Sequence, residues 1–323
     1  MFRVTYYKCR INLEVFHALT DGAGGITFLK ELVYQYLRLR YPKELQGEKD
    51  KISSGVFLDK EDSYVKNFKK GHGKVYKSEK AFTLNGERLP KGEMGVVHGY
   101  FPVNELKQAS KKHGVTINQY LVGTFVYAAY KEYMREQPSK IPFRCCVPVN
   151  LRPYYDSHTM KNFFAMVFAT FQPEKESYTF EEVLEIVAEN LKEQITPENL
   201  NNIMSYNVSN EKNWILRAVP LVIKNFVMKQ VYGASAKATS ATVTNIGNIE
   251  LKEPYQKYVE HFYVTLSMSK GQNMKGGICS YNGILTFTFS SVLVDLSIQK
   301  RFFQTIAKDG VAVAVESNGA YYG

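Results

Sequence analysis

The sequence predicts an α/β or α+β chain with mixed sheets, organised as two lobes. Two observations predict it. Short period-2 segments alternate with segments apolar at i, i+3 and i+4 from Cys9 to Ala307, joined by connections of mixed length. The order ends in a hairpin signature, Ser280-Tyr281-Asn282-Gly283 followed by Ile284–Phe289, since Asn-Gly supplies the positive φ angles of a type I′ turn. The 323 residues suit two domains, at roughly 100–200 residues each. The expected division is 1–93 for a first lobe and 94–323 for the second.

Taken in order, Cys9, Ile11, Leu13 and Val15 alternate with Arg10, Asn12, Glu14 and Phe16, which reads as a strand with one buried face. It runs into a Gly-rich corner, His17 to Gly25. A helix follows through Phe28, Leu29, Leu32, Val33, Tyr36 and Leu37 until Pro42 stops it. From Pro42 to about Gly95 the chain is polar and basic, a long crossover loop with a short strand expected near Lys80–Leu84. Val96–Phe101 is a strand, and Asn104 is the expected N-cap of a short helix. Thr116–Tyr133 is apolar nearly all round and therefore a buried helix. Phe143–Val149 and Asn162–Phe171 read as core strands, and Phe180–Ile195 as an amphipathic helix. Trp214–Tyr232 reads as a helical stretch interrupted at Pro220, and Ala241–Ile246 and His261–Ser267 as strands. Asp295–Ala307 is the closing helix.

Composition narrows the function classes. Hydrophobic residues make up 45% and charged residues 22%, the balance of a folded chain rather than a disordered one. No apolar run reaches the roughly 18 residues that span a bilayer, and the first residues lack the apolar core of a secretory signal. Four cysteines without C-x-x-C spacing suit neither a disulfide framework nor a zinc site; a reducing cytoplasm is the expected compartment. Adjacent Cys145 and Cys146 are expected on opposite faces of one strand. The net charge of +10 favours anionic partners, and much of it lies in Ser63–Lys80. That run reads first as a solvated loop, then as an anionic-membrane or nucleic-acid binder. No helix-turn-helix, zinc finger or RNA-binding aromatic signature accompanies it, so nucleic acid is not the expected partner.

His17 carries the chemistry. A histidine at a strand-to-helix corner can present its ring at a sheet edge, and an unperturbed pKa near 6.5 suits a general base. Gly22, Gly24 and Gly25 let the chain turn sharply. Asp21 orients the histidine or pins the loop, and a His/Asp pair is too few ligands for a metal.

With three further segments the sequence resembles the chloramphenicol acetyltransferase-like, CoA-dependent acyltransferases, a superfamily that includes alcohol acetyltransferases, wax ester synthases and condensation domains. His17-Ala-Leu-Thr-Asp21-Gly22 resembles their H-x-x-x-D-G core, with Phe16 where the fuller motif has a first His. Val147-Pro148-Val149-Asn150-Leu151-Arg152, then Lys161-Asn162-Phe163-Phe164, is similar to a "VPVxxR … GN" strand pair. Thr244-Asn245-Ile246-Gly247 is similar to the channel-lining "SNxxG" element, and the Ser280–Gly283 hairpin matches in order.

The resemblance implies a two-lobed fold with a tunnel between the lobes, entered by acyl-CoA from one face and by the acceptor from the other. It implies a CoA-dependent O-acyltransferase of alcohol-acetyltransferase type. Coenzyme A thioester, expected as acetyl-CoA, is the co-substrate, a small-molecule alcohol is the acceptor, and no metal takes part. His17 would deprotonate the hydroxyl for direct transfer, which fits the absence of a G-x-S-x-G nucleophile motif. Asn245 or Thr244 would serve the oxyanion, with Asn150 and Asn162 along the tunnel. Asp21, Gly22 and Arg152 would be structural, Asp21 binding either Arg152 or Arg144. Members carry a long stretch before the motif, whereas 16 residues precede His17. The resemblance therefore implies an incomplete first lobe, read as a fragment, as a lobe supplied by a second chain, or as a degenerate remnant. Unpaired edges would make the chain oligomeric or poorly behaved alone. The alternatives are a non-catalytic scaffold or binding module of the same fold, or a condensation-type amide-forming domain.

Overall fold

In the computed structural model, described over residues 1–45, 62–69, 79–212 and 219–321, the chain opens with an antiparallel hairpin of β1 (Phe2–Tyr7) and β2 (Arg10–Val15). Helix α1 (Gly22–Arg40) and the short α2 (Ser63–Lys66) come before β3 (Gly95–Pro102), α3 (Val103–Lys112) and α4 (Ile117–Glu132). Then follow β4 (Phe143–Asn150), α5 (Arg152–Tyr155), β5 (Phe164–Phe171), α6 (Phe180–Gln194), α7 (Pro197–Lys212) and α8 (Leu221–Ala236). The chain closes with β6 (Ala241–Ile249), α9 (Glu253–Gln256), β7 (Met274–Tyr281), β8 (Ile284–Ser291), α10 (Ser297–Lys308) and β9 (Ala314–Ser317).

Strands β3 to β9 form one mixed sheet in the order β5-β4-β6-β7-β8-β3-β9. The central pairs β4–β6 and β6–β7 are parallel and the outer pairs antiparallel. Helices α4, α6 and α10 cover one face. There Phe125, Phe143, Phe287, Phe289 and Phe302 are fully buried with Val243, Ile278 and Leu191. Each such side chain contributes about 1.5–3 kcal/mol by leaving water. On the other face α1 sets Val33, Tyr34 and Leu37 against Leu251, Tyr255, Phe262, Cys279 and Tyr281.

Local chemistry explains the element ends. Asp21 caps α1 by accepting from Gly24 N, so the glycines of the expected corner are the helix's first turn. Thr116 and Gln119 close a capping box at the start of α4, and Thr179 and Glu182 do so for α6. Asn282 and Gly283 take φ of 49° and 78° between β7 and β8, as the Asn-Gly signature predicts. Cys145 and Cys146 are both buried, the first in the helix-covered core.

Several expectations need correction. Pro102, not Asn104, precedes the first residue of α3, because proline's fixed φ suits the strand-to-helix junction. Asn162 lies before β5, held out of the ladder by its side-chain bond to the His17 carbonyl. Lys80–Leu84 is extended but unpaired as a strand, although Ala81 and Leu84 are buried. His261–Ser267 alternates like a strand yet joins no ladder. Both edges of β7 are taken, by β6 and β8, so the segment lies across the sheet, with Leu266 N bonded to Ser290 Oγ. Strands β1 and β9 and helix α7 are additional elements. Pro220 directly precedes the first residue of α8, and residues 213–218 of the expected helical stretch lie outside the described residues. Of the basic run Ser63–Lys80, residues 70–78 also lie outside them.

Candidate active site

An open cleft lies where the end of β2 and the start of α1 meet β4, β5 and β6. It is lined by His17, Asp21, Gly22, Pro148, Asn150, Arg152, Phe164, Thr244, Asn245 and Ile246. Segments expected to act together, up to 228 positions apart in the chain, thus come to one place. Asn162 supports the cleft from behind and is not in its wall.

The floor is fixed by a buried ion pair. The Arg152 Nη1 and Nη2 atoms donate to Asp21 Oδ2 and Oδ1 at 2.9 and 3.0 Å. Arg152 also donates from Nε to the Thr159 carbonyl, from Nη1 to Asn150 Oδ1 and from Nη2 to the Lys161 carbonyl, which employs all five guanidinium hydrogens. Asp21 further accepts from Gly24 N at 3.1 Å and Phe163 N at 2.9 Å, so each carboxylate oxygen takes two bonds. A carboxylate so engaged is a pin, not a base. Arg144, the other named partner, instead lies 4.5 Å over the Phe168 ring and reaches the Glu79 carbonyl at 3.4 Å. Gly24 is required by close approach, since a Cβ there would stand 2.6 Å from the Met160 carbonyl. The Thr20 hydroxyl donates to that same carbonyl at 2.5 Å.

His17 projects from this pinned corner with an exposed side chain, its ring edge-on to Phe164 with centroids 5.7 Å apart. Its carbonyl accepts from Asn162 Nδ2 at 2.8 Å, which fixes the backbone under the ring. Opposite, β6 and β7 slip register between Asn245 and Asn248. Asn245 stabilises that bulge: its Oδ1 accepts from Gly247 N, at φ 87°, and its Nδ2 donates to Asn118 Oδ1 at 3.2 Å. Asn150 Nδ2 and the Thr244 hydroxyl make no hydrogen bond among the described residues, which leaves them as donors in the cleft wall. Phe164, Ile246, Pro148 and Asn118 received no role from the sequence. Phe164, Ile246 and Pro148 stand inside the quoted motif segments, whereas nothing local marks Asn118. Among the described residues no cluster of three His, Cys, Asp or Glu is placed to hold a metal, and no helix is long and apolar enough to cross a membrane.

No family model matches the chain, and no curated protein matches its sequence. Solved structures do. F. sporotrichioides TRI101, complexed with coenzyme A and T-2, aligns over 94% of this chain and 67% of that chain at 11% identity, with a TM-score of 0.54. Polyketide synthase associated protein 5 from Mycobacterium tuberculosis aligns over 92% of this chain and 72% of that one at 12% identity, with a TM-score of 0.51. The nonribosomal peptide synthetase FmoA3 aligns over 71% of this chain at 15% identity and a TM-score of 0.48; the aligned part is 23% of that chain. The chain has the chloramphenicol acetyltransferase-like fold, with a mixed seven-stranded sheet and its helices.

Proposed function

We propose that the protein is an acyltransferase that moves an acyl group, acetyl in the simplest case, from coenzyme A to an alcohol, with His17 as general base. The observation that carries this reading is the placement of the His17 ring in the wall of a cleft whose floor the Asp21–Arg152 pair holds rigid. The fold and the coenzyme A named with TRI101 support the choice of donor. The wall residues suit the reactive end of a thioester, with Phe164, Pro148 and Ile246 as apolar surface and Thr244 and Asn150 as donors.

An acyl thioester bound there supplies an electrophilic carbonyl and a thiolate leaving group. A ring nitrogen of His17 takes the proton of the acceptor hydroxyl as its oxygen bonds to the carbonyl carbon. The Thr244 hydroxyl and the Asn150 amide donate to the oxyanion. The C–S bond then breaks, and His17 returns the proton to the thiolate. Asp21, Arg152 and Asn162 position the base without touching the reacting atoms.

The test is thiol release from acetyl-CoA with a panel of short and long alcohols, for the wild type and His17→Ala. A loss of at least about 100-fold in turnover is expected, with an unchanged melting temperature because the ring is exposed. Equal thiol release by the variant overturns His17 as the base. That same exposure of His17 favours a second reading, a non-catalytic binding module, and silence of the wild type across the panel selects it.

A further inference from the structure

Lys275 sits on β7 with 9% of its surface exposed, on the sheet face away from the Phe287–Phe289 core. The strand registers place it in one row with Cys146, Thr242 and Ser290. Two residues further along β4 and β6, about 7 Å on, Pro148 and Thr244 line the cleft. Lys275 is not in the cleft lining itself but stands on the strand beside it, one pleat repeat back from Thr244.

Its surroundings are neutral. The ammonium Nζ donates to Ser269 Oγ at 2.5 Å and forms no ion pair among the described residues. The Cys146 thiol is no counter-ion, because burial pushes it up to about 12. Thr242, the cross-strand partner of Lys275, donates to Gln272 Oε1 at 2.7 Å, which leaves the Gln272 amide nitrogen as a further donor. A buried ammonium without an opposite charge costs several kcal/mol unless an anion joins it or its proton leaves. Burial accordingly holds Lys275 below its usual value. A lone cation and an amide donor next to an open cleft form the complement of a small anion.

We propose that Lys275, with Gln272 and Ser269, is an anion-recognition site beside the cleft, taking a carboxylate carried by the acceptor alcohol. The anion site stands on its own geometry, while its assignment to the acceptor rests on the acyl-transfer reading.

Calorimetric titration of the whole chain with 3-hydroxybutyrate, with butane-1,3-diol as its neutral counterpart, and with inorganic phosphate tests the site without any turnover. The wild type is expected to bind 3-hydroxybutyrate at least tenfold tighter than the diol, and Lys275→Met to erase that margin. Lys275→Met, which removes a buried charge, is expected to melt no lower than the wild type. Should it fail to fold, Lys275→Gln replaces it in the same comparison. Equal binding of acid and diol by the wild type, or survival of the margin in the variant, overturns the site. A Lys275-dependent preference for phosphate over 3-hydroxybutyrate overturns the carboxylate assignment. A chain that binds the acid but releases no thiol refutes the acyl-transfer reading and leaves the anion site standing.

Discussion

The two faces of the seven-stranded sheet are built from different side chains. Along β8, Phe287 and Phe289 point into the helix-covered core, while Thr286, Thr288 and Ser290 between them are equally buried on the other face. Along β7, Met274 and Ile278 alternate with Lys275 and Gly277 in the same way. One face is filled by aromatic rings; the other pairs the smaller apolar cluster under α1 with hydroxyls, a lysine, His98 and the cleft. Period-2 geometry lets one strand do both jobs, because successive side chains never share a face. Burial alone therefore does not separate core from site. What separates them is whether the buried atoms are apolar or need partners.

Phe289→Ala should break the apolar face, at about 3–5 kcal/mol from lost burial and the cavity left, read as a fall in the denaturant midpoint. Thr288→Ala, one residue away, should cost less, about 1–3 kcal/mol, because it leaves the buried His98 Nδ1 without its partner. Equal losses at the two positions would erase the distinction. Asp21→Ala should cost about 3–5 kcal/mol, because it strands the buried Arg152 guanidinium and the Phe163 amide.

A third test concerns His98. Its Nδ1 shares a hydrogen with Thr288 Oγ1 at 2.8 Å, and burial lowers it from 6.5 to about 4, against an upward pull from Glu316 and with a further lowering by Arg10. The unfolded chain takes up a proton below pH 6.5 that folded His98 refuses until about pH 4. Stability therefore falls as pH drops through that window. At about 1.4 kcal/mol per unit the limit is near 3 kcal/mol. Denaturant midpoints between pH 4 and 6.5 should fall less steeply for His98→Gln than for the wild type. Parallel slopes would mean that the polar face does not exclude water.

How much of this was legible in the sequence follows the same contrast. Helix α4 and the β7–β8 hairpin could be read directly, one from an unbroken apolar surface and the other from Asn282-Gly283. The residues of the cleft were legible as motifs, but their bonds were not: nothing local chooses Arg152 over Arg144, or ties Asn245 to Asn118. Strand β1 is exposed at five of its six positions, so it lacks the alternation that marks a half-buried strand. His261–Ser267 has the alternation, but β7, the strand that follows it, already has both edges paired. Lys275 reads in sequence like any solvated lysine, because its meaning comes from the three strands around it.

The Asp21–Arg152 pair spans 131 positions of chain. At the usual 5–20 residues per second of synthesis, on the order of ten seconds separate the appearance of its two members at the ribosome. During that interval α1 has its cap but no clamp, and the ends of the helix and the hairpin are free to reorient. The His17 corner is therefore finished late, after β4 has emerged and delivered the arginine, and a pause in translation between residues 21 and 152 prolongs the stage at which this corner is still unclamped.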